Sequence, residues 1–257
     1  MGKTHADEGP GRIAVSGATT GGGIKIYADG ASLPELSELA QNPRISGFTT
    51  NPTLMRKAGV EDYRAFAAAA TQIAGAKPIS FEVFADDLDE MARQARQIAS
   101  FGENVYVKLP ITNTRRVSVL PLARELSRAG IKLNITAICT SRQIEESAEA
   151  LRGGAAAVVS VFAGRIADTG RDPIPMMVAA VATCAAACAG GSPIELLWAS
   201  PRELLNLIHA EQAGCQIITV TSDLLKKLSL LGKDLEEFSL ETVQMFHRDA
   251  SAAGYAL

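Results

Sequence analysis

The chain has 257 residues, of which 47% are hydrophobic and 21% charged, with a formal net charge of −3. That size and balance suit a globular domain with one substantial core, and an α/β barrel of about 250 residues is an ordinary single domain. The weak negative charge offers no cationic surface for nucleic acid or lipid, and no apolar run is long enough to span a bilayer.

Residues 1–23 are small, polar and glycine-rich, ending in Gly21-Gly22-Gly23. They read as a flexible leader without the hydrophobic centre of a signal peptide, so the folded domain is expected over 24–257. From Ile24 a pattern repeats: a short apolar run, a turn, then an amphipathic segment. Eight such runs occur, at 24–29, 47–51, 79–84, 104–109, 132–138, 156–162, 194–200 and 216–221. Between them lie helical spacings such as Leu33-Leu36-Leu39 and Leu88-Met91-Ala95-Ile98. Gly75, Gly130, Gly190 and Gly214 close several of these segments, as helix C-caps do.

Strands alternating with helices predict a parallel sheet with right-handed crossovers, and eight units in one domain predict a closed (β/α)8 TIM barrel. A doubly wound open sheet is the alternative. It would place a glycine-rich phosphate loop after the first strand, which Asp29-Gly30-Ala31-Ser32 is not. Beyond the eighth run, 225–231 and 235–253 read as extra C-terminal helices. The second is amphipathic through Phe238, Val243 and Phe246, and must cover either the barrel base or a neighbouring subunit. Cys139, Cys184, Cys188 and Cys215 lie in apolar surroundings and read as reduced, buried thiols, which points to the cytoplasm. Cys184 and Cys188 stand one helical turn apart without a histidine or acid nearby, so packing is expected there and no metal.

The chemistry of a barrel gathers at the carboxyl ends of its strands. Along Asn104-Val105-Tyr106-Val107-Lys108-Leu109-Pro110, alternation separates Val105, Val107 and Leu109 from Tyr106 and Lys108. A lysine at the last inward position of a buried strand is costly unless neutralised, paired or reactive, and such an amine can form a Schiff base with a carbonyl. Taken alone, a strand-end lysine more often snorkels to solvent. Its companions alter that balance. The first run ends in Asp29 and the second in Thr49-Thr50-Asn51. The third aligns Ser80, Glu82 and Phe84, and the fifth pairs Asn134 with Thr136. The sixth pairs Ser160 with Phe162, followed by Arg165, and the seventh pairs Trp198 with Ser200, followed by Arg202.

These residue types suggest a division of labour. Lys108 is the candidate nucleophile, and Glu82 or Asp29 can move the protons that imine formation requires. Asn51, Asn134 and Ser160 suit the hydroxyls of a polyol. Arg165 and Arg202 can grip a phosphate by fork geometry, with Ser200 adding a donor. An imine-forming lysine, hydroxyl-binding amides and a remote phosphate clamp describe an aldolase or aldol transferase acting on sugar phosphates.

Ala28-Asp29, Gly47-Phe48-Thr49-Thr50-Asn51-Pro52-Thr53, Val107-Lys108-Leu109-Pro110, Asn134-Ile135-Thr136, 160–165 and Ala199-Ser200-Pro201-Arg202 together resemble the transaldolase family. The resemblance runs in the family's order from about residue 24 to residue 228 and is nearest its compact subfamily, which includes fructose-6-phosphate aldolases. It implies a cofactor-free barrel with Lys108 as the Schiff-base lysine and Asp29 handling the hydroxyl proton at the breaking C–C bond. It implies that Glu82 works with Thr136 through a water on the imine, and that Asn51, Asn134 and Ser160 hold the dihydroxyacetone part. Arg165, Ser200 and Arg202 match its phosphate positions. Glutamate at 82 and phenylalanine at 162 resemble transaldolases, whereas the aldolases that release free dihydroxyacetone tend to carry glutamine and tyrosine. The resemblance further implies a homo-oligomer, a pentamer or decamer. In the first strand, Ala28-Asp29-Gly30-Ala31 stands where members commonly have Leu-Asp-Thr-Ala or Leu-Asp-Ser-Ala. The segment 165–172 adds a further arginine and two acids, read first as loop salt bridges and second as contacts to the acceptor. Alternatives are an aldolase that releases dihydroxyacetone and a catalytically silent sugar-phosphate-binding barrel.

Overall fold

In a computed structural model, which describes residues 23–188 and 191–255, the alternating pattern closes into a barrel. Its strands are β1 (Lys25–Asp29), β2 (Ile45–Thr49), β3 (Ile79–Glu82), β4 (Val105–Pro110), β5 (Leu133–Ile138), β6 (Ala157–Val161), β7 (Ile194–Trp198) and β8 (Ile217–Thr221). All neighbours pair in parallel, and β8 returns to β1. The helices in the first half are α1 (Leu33–Ala40), α2 (Pro52–Lys57), α3 (Tyr63–Ala74), α4 (Leu88–Ala99), α5 (Leu120–Arg128) and α6 (Ser141–Leu151). There follow α7 (Ala163–Ala167), α8 (Ile174–Ala187), α9 (Leu205–Gln212), α10 (Ser222–Lys226) and α11 (Leu235–Ala253). The expected leader and the expected cap at Gly190 lie outside the described residues. Gly75, Gly130 and Gly214 do end helices, each with positive φ.

Alternation along each strand splits the core in two. Val105, Val107 and Leu109 join the large cluster between strands and helices, while Tyr27, Val158, Leu197, Ala199 and Ile217 form a second cluster that fills the barrel, with Tyr106 and Phe162 packed on it. Gly47 makes room for the Tyr27 ring, since a Cβ there would lie 2.7 Å from two ring carbons. On the same inward parity, Lys25 pairs with Glu195 at 2.5 Å near the amino-terminal end. With side chains plugging the interior, the polar groups at the opposite end form a floor and rim, not a channel.

Three sequence expectations are corrected. The first extra helix begins earlier than 225, as α10 at Ser222, and passes into a 3-10 turn over Lys227–Leu230, because Leu224 is the side chain that buries. β3 ends at Glu82, so Phe84 leaves the inward row, is 61% exposed and stacks on Tyr63 at 5.3 Å. Trp198 points into the helical layer at 1% exposure and does not line the mouth.

The four cysteines are free, but only Cys184 and Cys215 are buried as expected, with burial pushing their thiols up to about 12, while Cys139 and Cys188 are half-buried. No residue of α11 is buried, and Phe238, Val243 and Phe246 are 43%, 60% and 62% exposed, so its own barrel does not cover its apolar face. Among the described residues no helix is long and apolar enough to cross a membrane.

Candidate active site

Lys108 is the inward residue near the end of β4, 6% exposed, and register sets it between Glu82 on β3 and Asn134 on β5. Its Nζ donates to the Thr50 carbonyl at 2.8 Å and lies 3.2 Å from Glu82 Oε2. The Tyr63 hydroxyl donates to the Glu82 carbonyl at 2.8 Å, tying the end of β3 to α3. A buried primary amine beside a carboxylate has the two groups that imine chemistry needs, a nucleophile and a proton carrier.

Asp29 ends β1 and sits inside the same ring. Burial raises its carboxyl above the usual carboxylate range, while the charge of Lys108 and a hydrogen bond from Thr49 act against that rise. Thr49 Oγ1 donates to Asp29 Oδ1 at 2.7 Å and approaches Thr219 Oγ1 at 2.5 Å. Since Thr49 has one hydroxyl proton and gives it to Asp29, Thr219 is the donor to Thr49. Thr219 was missed in the sequence. Its signal was present in the Ile-Thr-Val-Thr alternation of β8, where Thr219 and Thr221 share a face.

Asn134 and Ser160 form one network with Ser80. The Ser160 hydroxyl donates to Asn134 Oδ1 at 2.6 Å, and Asn134 Nδ2 donates to Ser80 Oγ at 3.1 Å. Thr136, two residues along β5, is 2% exposed, and its Oγ1 has no hydrogen-bond partner among the described residues. A buried hydroxyl without a partner is a ready place for a water or a substrate group. Asn51 also has a structural job. Its Oδ1 accepts from Leu54 N at 3.0 Å and caps α2, whose first residue is Pro52. Its amide NH2 remains for a ligand.

The arginines collect on the β6–β7 side. Phe162 closes β6 as the N-cap of α7, and the Arg165 guanidinium lies 5.6 Å from its ring centroid. Ser200 follows β7 with φ of 58°, and Gly164 lies so near that a Cβ on it would be 1.6 Å from the Ser200 carbonyl oxygen. The absence of a side chain at 164 is what lets the two strand ends meet. The segment read as a loop from Arg165 onwards begins as α7, and its first acid pairs with an arginine that follows the adjacent strand β7. Asp168 Oδ1 accepts from Arg202 Nε at 3.0 Å and Oδ2 from Nη2 at 2.5 Å, which holds the Asp168 carboxyl below its usual range. The structure thus brings Asp29, Glu82, Lys108, Asn134 and Ser160 into one ring at the carboxyl ends, with Arg165, Ser200 and Arg202 as a group at its β6–β7 edge.

Residues 26–257 match the family model described as Transaldolase/Fructose-6-phosphate aldolase. A protein named "Probable transaldolase" from Methanococcus maripaludis strain C7 is 32% identical over 205 residues, covering 80% of this chain and 89% of that protein. One of the same name from Dehalococcoides mccartyi is 32% identical over 207 residues, covering 80% and 90%. Among solved structures, an HpcH/HpaI aldolase/citrate lyase family protein from Burkholderia cenocepacia aligns with a TM-score of 0.55 at 12% identity, covering 86% of this chain and 95% of that one. 3-Hexulose-6-phosphate synthase from Salmonella typhimurium aligns with a TM-score of 0.51 at 15% identity, covering 77% and 88%. At such identities these two are alike in fold alone.

Proposed function

The chain belongs to the transaldolase/fructose-6-phosphate aldolase family, and from that premise we propose that it transfers a dihydroxyacetone unit from a ketose phosphate to an aldose phosphate through a Schiff base on Lys108. The observation that carries this reading is the buried Lys108 ammonium, 3.2 Å from Glu82 and close enough to Asp29 to act on its carboxyl. The Lys108 amine, once deprotonated, adds to the ketose C2 carbonyl, and the carbinolamine loses water to give the imine. Glu82 supplies and recovers protons, with a water held by the Thr136 hydroxyl as carrier. Asp29 then takes the C4 hydroxyl proton as the C3–C4 bond breaks, and its electron pair passes to the imine. An aldose departs and the three-carbon enamine stays on Lys108. C3 then adds to the carbonyl of an incoming aldose while Asp29 returns its proton to the new C4 oxygen, and hydrolysis of the resulting imine releases the product ketose and frees Lys108. A raised Asp29 carboxyl suits a group that must hold a proton for part of the cycle. The sequence is redox-neutral and uses no cofactor.

Asn134, Ser160 and the free amide of Asn51 hold the donor hydroxyls, and Arg165, Ser200 and Arg202 bind the phosphate. Phe162 offers no hydroxyl to orient a water at the three-carbon imine, so the intermediate waits for an aldehyde, and transfer outruns release. The exposed apolar face of α11 is buried against a second copy in a pentamer-based homo-oligomer. Incubation with fructose 6-phosphate and borohydride should add a dihydroxyacetone-sized mass to the peptide containing Lys108. Label on another lysine, or equal labelling of Lys108→Arg, would discard the assignment.

A further inference from the structure

Asp168 is the C-cap residue of α7, three residues after Arg165, and it grips Arg202 through Nε and Nη2 at 3.0 and 2.5 Å. A guanidinium carries five N–H donors, and a carboxylate on the Nε side leaves the edge between the two terminal nitrogens open. The rest of Arg202 is also held. Its backbone N–H donates to Asn206 Oδ1 at 2.7 Å, and its Nε lies 3.3 Å from where a Cβ on Gly164 would stand. Arg165 faces the same carboxylate closely enough to lower its pKa. A negative group that both arginines feel reduces their mutual repulsion.

We propose that Asp168 is a positioning residue for the phosphate clamp: by holding the Nε edge of Arg202 it presents the terminal-nitrogen edge to the phosphate of the sugar substrates. This rests on the clamp reading above. The opposite role, a carboxylate that competes with phosphate for the arginine, is the physical rival. Two features favour positioning. The carboxylate occupies the side of the fork and not its end, and with Arg202 and Asp168 at 48% and 51% side-chain exposure, water screens its repulsion of a phosphate. An untethered arginine would instead lose its rotamer freedom on each binding event.

The test measures KM and kcat for fructose 6-phosphate with unphosphorylated glyceraldehyde as acceptor, and the inhibition constant of inorganic phosphate, in the full chain. Asp168→Ala should raise both KM and the inhibition constant roughly two- to ten-fold, the cost of ordering one long side chain, with kcat near the parent value. Asp168→Glu should recover part of the loss. Asp168→Asn, which keeps the shape and one acceptor, should show a smaller rise and serves if the alanine variant does not fold. In an Arg202→Ala background the Asp168→Ala effect should vanish. The proposal is overturned if Asp168→Ala lowers or leaves unchanged the two constants, or if its effect persists undiminished without Arg202. Arg202→Ala having no effect of its own is a separate outcome, and it removes the clamp and the proposal together.

Discussion

Replacing Lys108 by methionine deletes a cation and shortens the side chain by one heavy atom, so the loss of charge is the main change. In the parent Lys108 is 6% exposed, with its Nζ 2.8 Å from the Thr50 carbonyl and 3.2 Å from Glu82, whose side chain is 19% exposed. Removing one partner of a buried pair costs about 3–5 kcal/mol because the other charge is stranded. Glu82 keeps a path to solvent at the mouth, which sets the expectation at the lower end, about 3 kcal/mol. At about 2–4 °C per kcal/mol for a chain of this size, the midpoint should fall by about 6–12 °C. Asp29 adds a pH signature. Its carboxyl is raised by burial, so its contribution to stability is present below the unfolded carboxylate range and is lost as pH rises through the folded value. Lys108 opposes that rise, and without it the loss deepens. The gap between Lys108→Met and the parent should therefore widen from pH 5 to pH 8. Adding Glu82→Gln removes the stranded charge and should return most of the midpoint, since a neutral pair is often no worse than a buried ionic one. Thermal unfolding followed by circular dichroism at pH 5, 6.5 and 8 measures all three. A single variant at least as stable as the parent at pH 8, or a double variant no better than the single, would refute the reasoning.

Phe162→Tyr should raise the release of free dihydroxyacetone from fructose 6-phosphate without acceptor, measured by coupled reduction of the triose. If the unmodified protein already cleaves as fast without acceptor as with one, the aldolase reading replaces the transferase reading. Gly164→Ala puts a methyl where the Ser200 carbonyl oxygen lies 1.6 Å away. One strand end must shift, at a cost of about 1–3 kcal/mol, and KM for phosphorylated substrates should rise while the Lys108 label still forms. An unchanged KM and midpoint would show that the two ends are not in contact. Removing the chain after Gly232 should convert an oligomer to a smaller species in light scattering, and a monomeric full-length protein would end that expectation.

Much of the architecture was legible from local pattern. Runs of β-branched and apolar residues and the helical spacings between them mark all eight strands within a few residues, because period 2 and period 3.6 are properties of consecutive residues. The same alternation sets Lys108, Glu82 and Asn134 on one face, and adjacent strands in register then bring them together. Alternation fails where the strand stops. Phe84 and Ser200 lie two residues past their strands, where the chain turns away, and at Ser200 the backbone is left-handed. Trp198 is still on its strand, but parity assigns it to the helical layer.

What joins residues far apart in the chain was decided by closure of the barrel. Thr219 reaches Thr49 because β8 returns to β1, and Asp168 reaches Arg202 because Gly164 lets the ends of β6 and β7 nearly touch. The side-chain oxygen of Asn51 caps α2 because the helix starts at the next residue. Residue type alone states what a side chain can donate or accept. Which partner it finds depends on barrel twist and shear, collective properties that no short stretch of sequence encodes. The face of α11 lies on the same divide: its amphipathic spacing is local, and only the packed barrel reveals that it is left uncovered.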